Sequence, residues 1–77
     1  MSTHHLKVYP AYFKALSSRE KTFEIRENSH DFKVGDWLIL QEFIPEKEEY
    51  TGAELVRKIT YISNFAQKSN FIVMAIA

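Results

Sequence analysis

The residues with the most chemical promise are Lys21, Glu24 and Arg26, in the run KTFEIRE at positions 21–27. Phe23 and Ile25 alternate there with Thr22, Glu24 and Arg26, the period of a half-buried strand. On such a strand Thr22, Glu24, Arg26 and Asn28 point to one side, and Phe23 and Ile25 point to the other, expected to be the core. Glu24 and Arg26 then stand about 7 Å apart along the backbone, within reach of a charge-assisted hydrogen bond. Set in a cleft, the pair would offer a guanidinium to phosphate or carboxylate, and a carboxylate to a base edge. Lys21 would add an ammonium group for phosphate or, if desolvated, a general base. The plainer alternative is a solvated strand face bearing an ion pair of little energetic value, and the pattern alone favours it.

Other residue types offer less. The chain has no cysteine, and His4, His5 and His30 form no spaced ligand set, so neither a thiolate site nor a structural zinc is expected. One of His4 and His5 is expected to pack on the sheet. Asp31 and Asp36 could pair as acids, but Asp36 follows Gly35 and suits the role of accepting backbone N–H groups in a turn. Trp37 and the tyrosines could stack on bases. A lone Trp opening an apolar strand is more readily explained as core. There is no glycine-rich phosphate cradle, no nucleophile signature and no cofactor motif.

The elements that would position these residues follow from periodicity. His4–Tyr9 alternates as a short strand. Pro10 suits the first turn of a helix, which reads through PAYFKALSS with Tyr12, Phe13 and Leu16 along one side. Lys21–Glu27 is the second strand, and ENSHD and the turn around Gly35 follow it. Trp37–Phe43, apolar on both faces at its start, reads as a central strand. The charged stretch 44–52, between Pro45 and Gly52, reads as a long hairpin loop. Ala53–Ser63 returns as a strand with Leu55, Ile59 and Tyr61 on one face. In the polar loop 64–70, Phe65 is expected to plug one end of the fold. Phe71–Ala77 closes the sheet from a central place. The pattern predicts an α+β fold: one domain over residues 1–77, with five or six strands in a small closed mixed sheet and one short helix after the first strand. Closure would remove the edges that invite aggregation.

Composition narrows the partners. Lys and Arg number 10, Asp and Glu number 10, and the net charge is zero. Duplex-binding proteins carry a basic excess, so any nucleic-acid contact here is expected to be local or directed at a base. No apolar run has the roughly 20 residues of a membrane span, and no signal-peptide pattern opens the chain. A cytoplasmic protein with no membrane partner is the expectation.

KTFEIRENSHDFKVGDWLIL, preceded by a helix of the form P-x-Y-F-x-x-L, resembles the ASCH domain group of the PUA-like superfamily, in a small, mostly bacterial and phage branch of unassigned function. That group's signature is G-x-K-x-x-E-x-R followed by a V-G-D turn. Lys21, Glu24 and Arg26 match it, as do Val34, Gly35 and Asp36; Arg19 stands where the signature has glycine. The resemblance runs from His5 to Ile76. It implies a PUA-like β-barrel with a cleft beside the helix and the signature strand, and RNA or a nucleotide-like ligand bound there by Lys21, Thr22, Glu24, Arg26 and Asn28. Some relatives are small amidohydrolases of acylated cytidines that use the signature lysine, a threonine on the same strand and a distant glutamate. Glu24 stands at the threonine position here. An amidase or ribonuclease resting on Lys21 and Glu24 is thus the alternative, and a protein-interaction scaffold presenting the 45–52 loop is a third.

Overall fold

Alternation of apolar and polar residues places five strands and one helix close to where the sequence predicts them. The computed structural model describes residues 1–77. It contains β1 (Thr3–Val8), α1 (Pro10–Ser17), β2 (Phe23–Glu27), β3 (Trp37–Ile44), β4 (Glu49–Ser63) and β5 (Phe71–Ile76). The strands form one mixed sheet in the order β1-β3-β4-β5-β2. β1 runs parallel to β3, and the other neighbours are antiparallel. A parallel pair needs a crossover, and α1 and β2 lie in it. β3 and β5 are interior strands, as expected.

β4 folds the sheet over. Its first part pairs with β3 and its last part with β5, with an irregular register between Ile59 and Tyr61. An extra residue at such a bulge reverses which side the next side chains take. Ile59 is fully buried, Tyr61 is exposed, and Ile62 packs against the core. The expectation that Tyr61 shares a face with Ile59 fails for this reason. The core is filled from β1 (Leu6, Val8), α1 (Phe13, Leu16), β3 (Leu38, Leu40), β4 (Ile59) and β5 (Ile72, Met74, Ile76), with Phe32 from the loop. β2 adds no apolar side chain to it.

The sheet does not close, contrary to expectation. β2 pairs only with β5, and β1 only with β3, so both remain edges. A single side chain spans the gap: Arg26 Nη2 donates to the Lys7 carbonyl at 2.7 Å. Three smaller expectations also fail. Strand pairing continues past the charged stretch, leaving only residues 45–48 as a turn and Gly52 inside β4 with φ 93°. Phe65 is 84% exposed and plugs nothing. Trp37 alternates with buried Leu38 and so faces out, with the Lys58 ammonium 5.6 Å from its ring centre.

Asp36 forms a closed knot at the start of β3. Its carboxylate accepts from the Ser2 N–H at 3.0 Å, the Lys33 N–H at 3.1 Å and His4 Nε2 at 2.8 Å. His4 is buried against Phe32, which stacks on His30. The expected turn role of Asp36 and packing of one N-terminal histidine both hold. Asp31 pairs with Lys33 on the surface instead of with Asp36. The His4 hydrogen bond first, and then the two backbone donors, hold the Asp36 carboxyl down at about 2 against burial, which acts the other way.

Candidate ligand-binding groove

The end of α1 sets the position of Lys21. Arg19 takes a left-handed conformation, φ 66°, and the chain doubles back so that the Lys21 N–H donates to the Ala15 carbonyl at 3.0 Å. Arg57 on β4 donates to the Leu16 carbonyl at 3.3 Å, satisfying one of the last helix acceptors. Burial, and secondarily the charge of Arg19, lower the pKa of Arg57. With the chain turned this way, the Lys21 ammonium lies 5.1 Å from the Tyr12 ring centre and 5.2 Å from that of Phe23, within cation–π range.

β2 presents the face opposite to the one expected. Glu24 is 3% exposed, whereas Phe23 and Ile25 are 41% and 50% exposed. Glu24 lies opposite buried Met74, and Arg26 opposite buried Ile72, across the β2–β5 register. The acid is buried because both of its oxygens are taken by cations. Lys21 Nζ donates to Oε1 at 3.1 Å, and Arg26 Nε donates to Oε2 at 2.8 Å. A lone carboxylate at this depth would be costly, and two charge-assisted hydrogen bonds offset its desolvation.

These cations line an open groove of about 770 Å³ between the β2 edge and the end of β1. Its walls include Lys7, Tyr9, Tyr12, Phe23, Phe43 and Phe71. The Lys7 ammonium lies 4.5 Å from the Phe43 ring centre. Of the sites proposed from sequence, the structure brings Lys21, Glu24 and Arg26 together here. Thr22 is exposed outside the groove, its carbonyl accepting from the Ile76 N–H at 3.1 Å, and Asn28 lines a different cavity. Tyr9 is one of the tyrosines that the sequence pattern offers for base stacking, whereas Lys7, Phe43 and Phe71 are not among the residues it points to. They lie on other elements, and only the sheet order brings them to the β2 edge. Tyr12, expected along one side of α1 with Phe13 and Leu16, is exposed toward the groove while those two pack inward.

A family model matches residues 3–76, from the first residue of β1 to the last of β5. The chain belongs to DUF3850, a domain of unknown function. No curated protein is similar enough in sequence to count as a relative. The chemistry of the DUF3850 groove therefore has to be read from its own atoms. An ammonium has three N–H donors and a guanidinium five. Glu24 takes one from Lys21, and Glu24 and Lys7 together take two from Arg26, so several donors stay free. Glu24 has no uncommitted oxygen. The groove thus offers positive hydrogen-bond donors beside aromatic faces, and its one uncommitted acid is Glu27, exposed on the wall. No helix of this DUF3850 chain is long and apolar enough to cross a membrane, and no cluster of three or more His, Asp or Glu side chains is placed to hold a metal ion.

Proposed function

We propose that the groove binds single-stranded RNA or a nucleotide-like ligand, with Lys21 and Arg26 on phosphate and Tyr12 or Phe23 against a base. One observation carries the reading: two cations are fixed on one buried carboxylate, and their remaining donors share an open groove with aromatic rings. Charge-assisted donors suit phosphate, and aromatic faces accept any base. A chain with no net charge fits this better than duplex binding, which needs a basic surface. The groove volume also lies in the range of small-ligand sites, about 300–1,000 Å³. The arrangement of β1 and β2 on either side of the groove, joined by Arg26, supports an ASCH or PUA-like barrel left open at its ligand site. A cytoplasmic location accords with such ligands. Hydrolysis is the weaker reading, because Glu24 is engaged at both oxygens and the groove's other acid, Glu27, is exposed and makes no ion pair with Lys21.

Titration of a fluorescein-labelled oligouridylate and of nucleoside monophosphates tests the proposal. Wild type binds with micromolar affinity. Lys21→Ala and Arg26→Ala each weaken binding about tenfold, in line with loss of a charged hydrogen bond, about 1.5–3 kcal/mol. Each also makes the salt dependence shallower. Absence of binding by the wild type, or unchanged affinity in both variants, overturns the proposal.

A further inference from the structure

The groove has a neighbour. A second cavity, of about 340 Å³, adjoins it, and Phe71 lines both. Glu27 lines the first and Asn28 the second, and consecutive Cα atoms are only about 3.8 Å apart. The chemistry changes sharply between them. The first holds cations, rings and the acids Glu24 and Glu27, whereas the second is lined by Asn28, Asn64, Gln67 and Asn70, with Lys68 and no acid.

Most of that amide capacity is uncommitted. Asn28 Oδ1 accepts from the Phe32 N–H at 3.0 Å, leaving its NH₂ free. Gln67 Nε2 donates to the Phe65 carbonyl at 3.4 Å, leaving its oxygen free. The carboxamides of Asn64 and Asn70 make no hydrogen bond within the chain, although the backbone of Asn70 is fixed by the Asn28 N–H at 2.8 Å. A carboxamide carries a donor and an acceptor side by side, the pattern that pairs with a nucleobase edge. Sequence-specific recognition of single strands works this way, by stacking on rings and hydrogen bonding to exposed base edges.

We infer that the cavity around Asn64 and Asn70 is a base-reading subsite for the nucleotide next to the one held by Lys21 and Arg26, with Phe71 as the platform between them. The ligand is then a single strand of at least two nucleotides. The inference rests on the proposed nucleotide binding in the groove, and its test separates the two. Calorimetry compares AMP and UMP with the 5′-phosphorylated dinucleotides pApA and pUpU. At least one dinucleotide binds tenfold or more tighter than its mononucleotide. The double variant Asn64→Ala/Asn70→Gly, whose glycine keeps the left-handed conformation at position 70 (φ 64°), loses that gain and binds the mononucleotide as wild type does. Unchanged mononucleotide binding also shows that the variant is folded. Dinucleotides that bind no tighter than mononucleotides, or a double variant that keeps the gain, overturn the subsite and leave the groove reading standing. No binding of either kind of probe overturns both. The 2′-deoxy dinucleotides identify the strand: weaker binding confines the ligand to RNA, and equal binding extends it to single-stranded DNA.

Discussion

Glu24 and Asp36 are both 3% exposed and both lie 2.8 Å from their nearest cationic or imidazole partner, yet they do different work. Asp36 is held by two backbone N–H groups and a histidine packed under Phe32. These partners spend their donors on Asp36, and the histidine among them is buried. Glu24 is held by two long cationic side chains that keep donors to spare and face an open groove. The first arrangement fixes β1 to the start of β3. The second fixes two cations in place for something else to meet. Burial of an acid does not by itself mark a site; the unspent hydrogen-bonding capacity of its partners does.

Truncating each acid tests this contrast most strongly. Asp36→Ala takes their shared acceptor from buried His4 and from two part-buried backbone donors, and it lowers the Tm by an amount on the order of 15 °C. Glu24→Ala frees Lys21 and Arg26 to turn toward the open groove, so its Tm falls by about half as much. Thermal unfolding followed by circular dichroism measures both. Equal losses would mean that the groove cations are as dependent on their acid as the knot is, and the contrast would collapse.

The same pair differs in what was legible beforehand. The turn role of Asp36 follows from its place after Gly35, because that chemistry is local. The alternation in KTFEIRE correctly gave a strand, but a period of two defines two faces without saying which is inside. Hydrophobicity put Phe23 and Ile25 inside by default. Tertiary structure reversed this: the apolar side of the core is supplied by Ile72, Met74 and Ile76 of β5, and Glu24 joins them only because Lys21 and Arg26 neutralise it. The one local hint was the balance of signs, an acid within reach of two cations. Phe43 and Phe71 carry no such hint, since a groove wall made from separated segments has no signature in any one of them. Tyr61 and the open β1–β2 gap were equally hidden, one behind a bulge and the other behind a missing ladder.

Acid titration sharpens the contrast at a smaller scale. The Asp36 carboxyl sits at about 2 in the folded protein against an ordinary 3.8, so the unfolded chain binds its proton more readily. Its contribution is therefore fully present above about pH 4 and disappears as the pH falls toward 2. In urea unfolding across this window, wild type loses more stability than Asp36→Asn, which has no carboxyl to protonate. Parallel curves for the two proteins would show that the knot does not hold the carboxyl down.

The smallest effect concerns how Lys21 reaches the groove at all. Arg19 makes the turn after α1 at φ 66°, where a side chain costs about 1–2 kcal/mol and glycine costs almost nothing. Glycine also makes the unfolded chain more flexible, which gives back about 0.5–1 kcal/mol. Arg19→Gly should accordingly stabilise by about 0.5 kcal/mol, raising the Tm by a few degrees. Arg19→Ala removes the same charge near Arg57 but keeps the strained backbone, so it separates the two causes. Stabilisation by both variants alike would point to charge repulsion between the two arginines. Stabilisation by glycine alone, with ligand affinity unchanged, would show that the groove is set by the path of the backbone through Arg19, where the knot at Asp36 is set by a side chain.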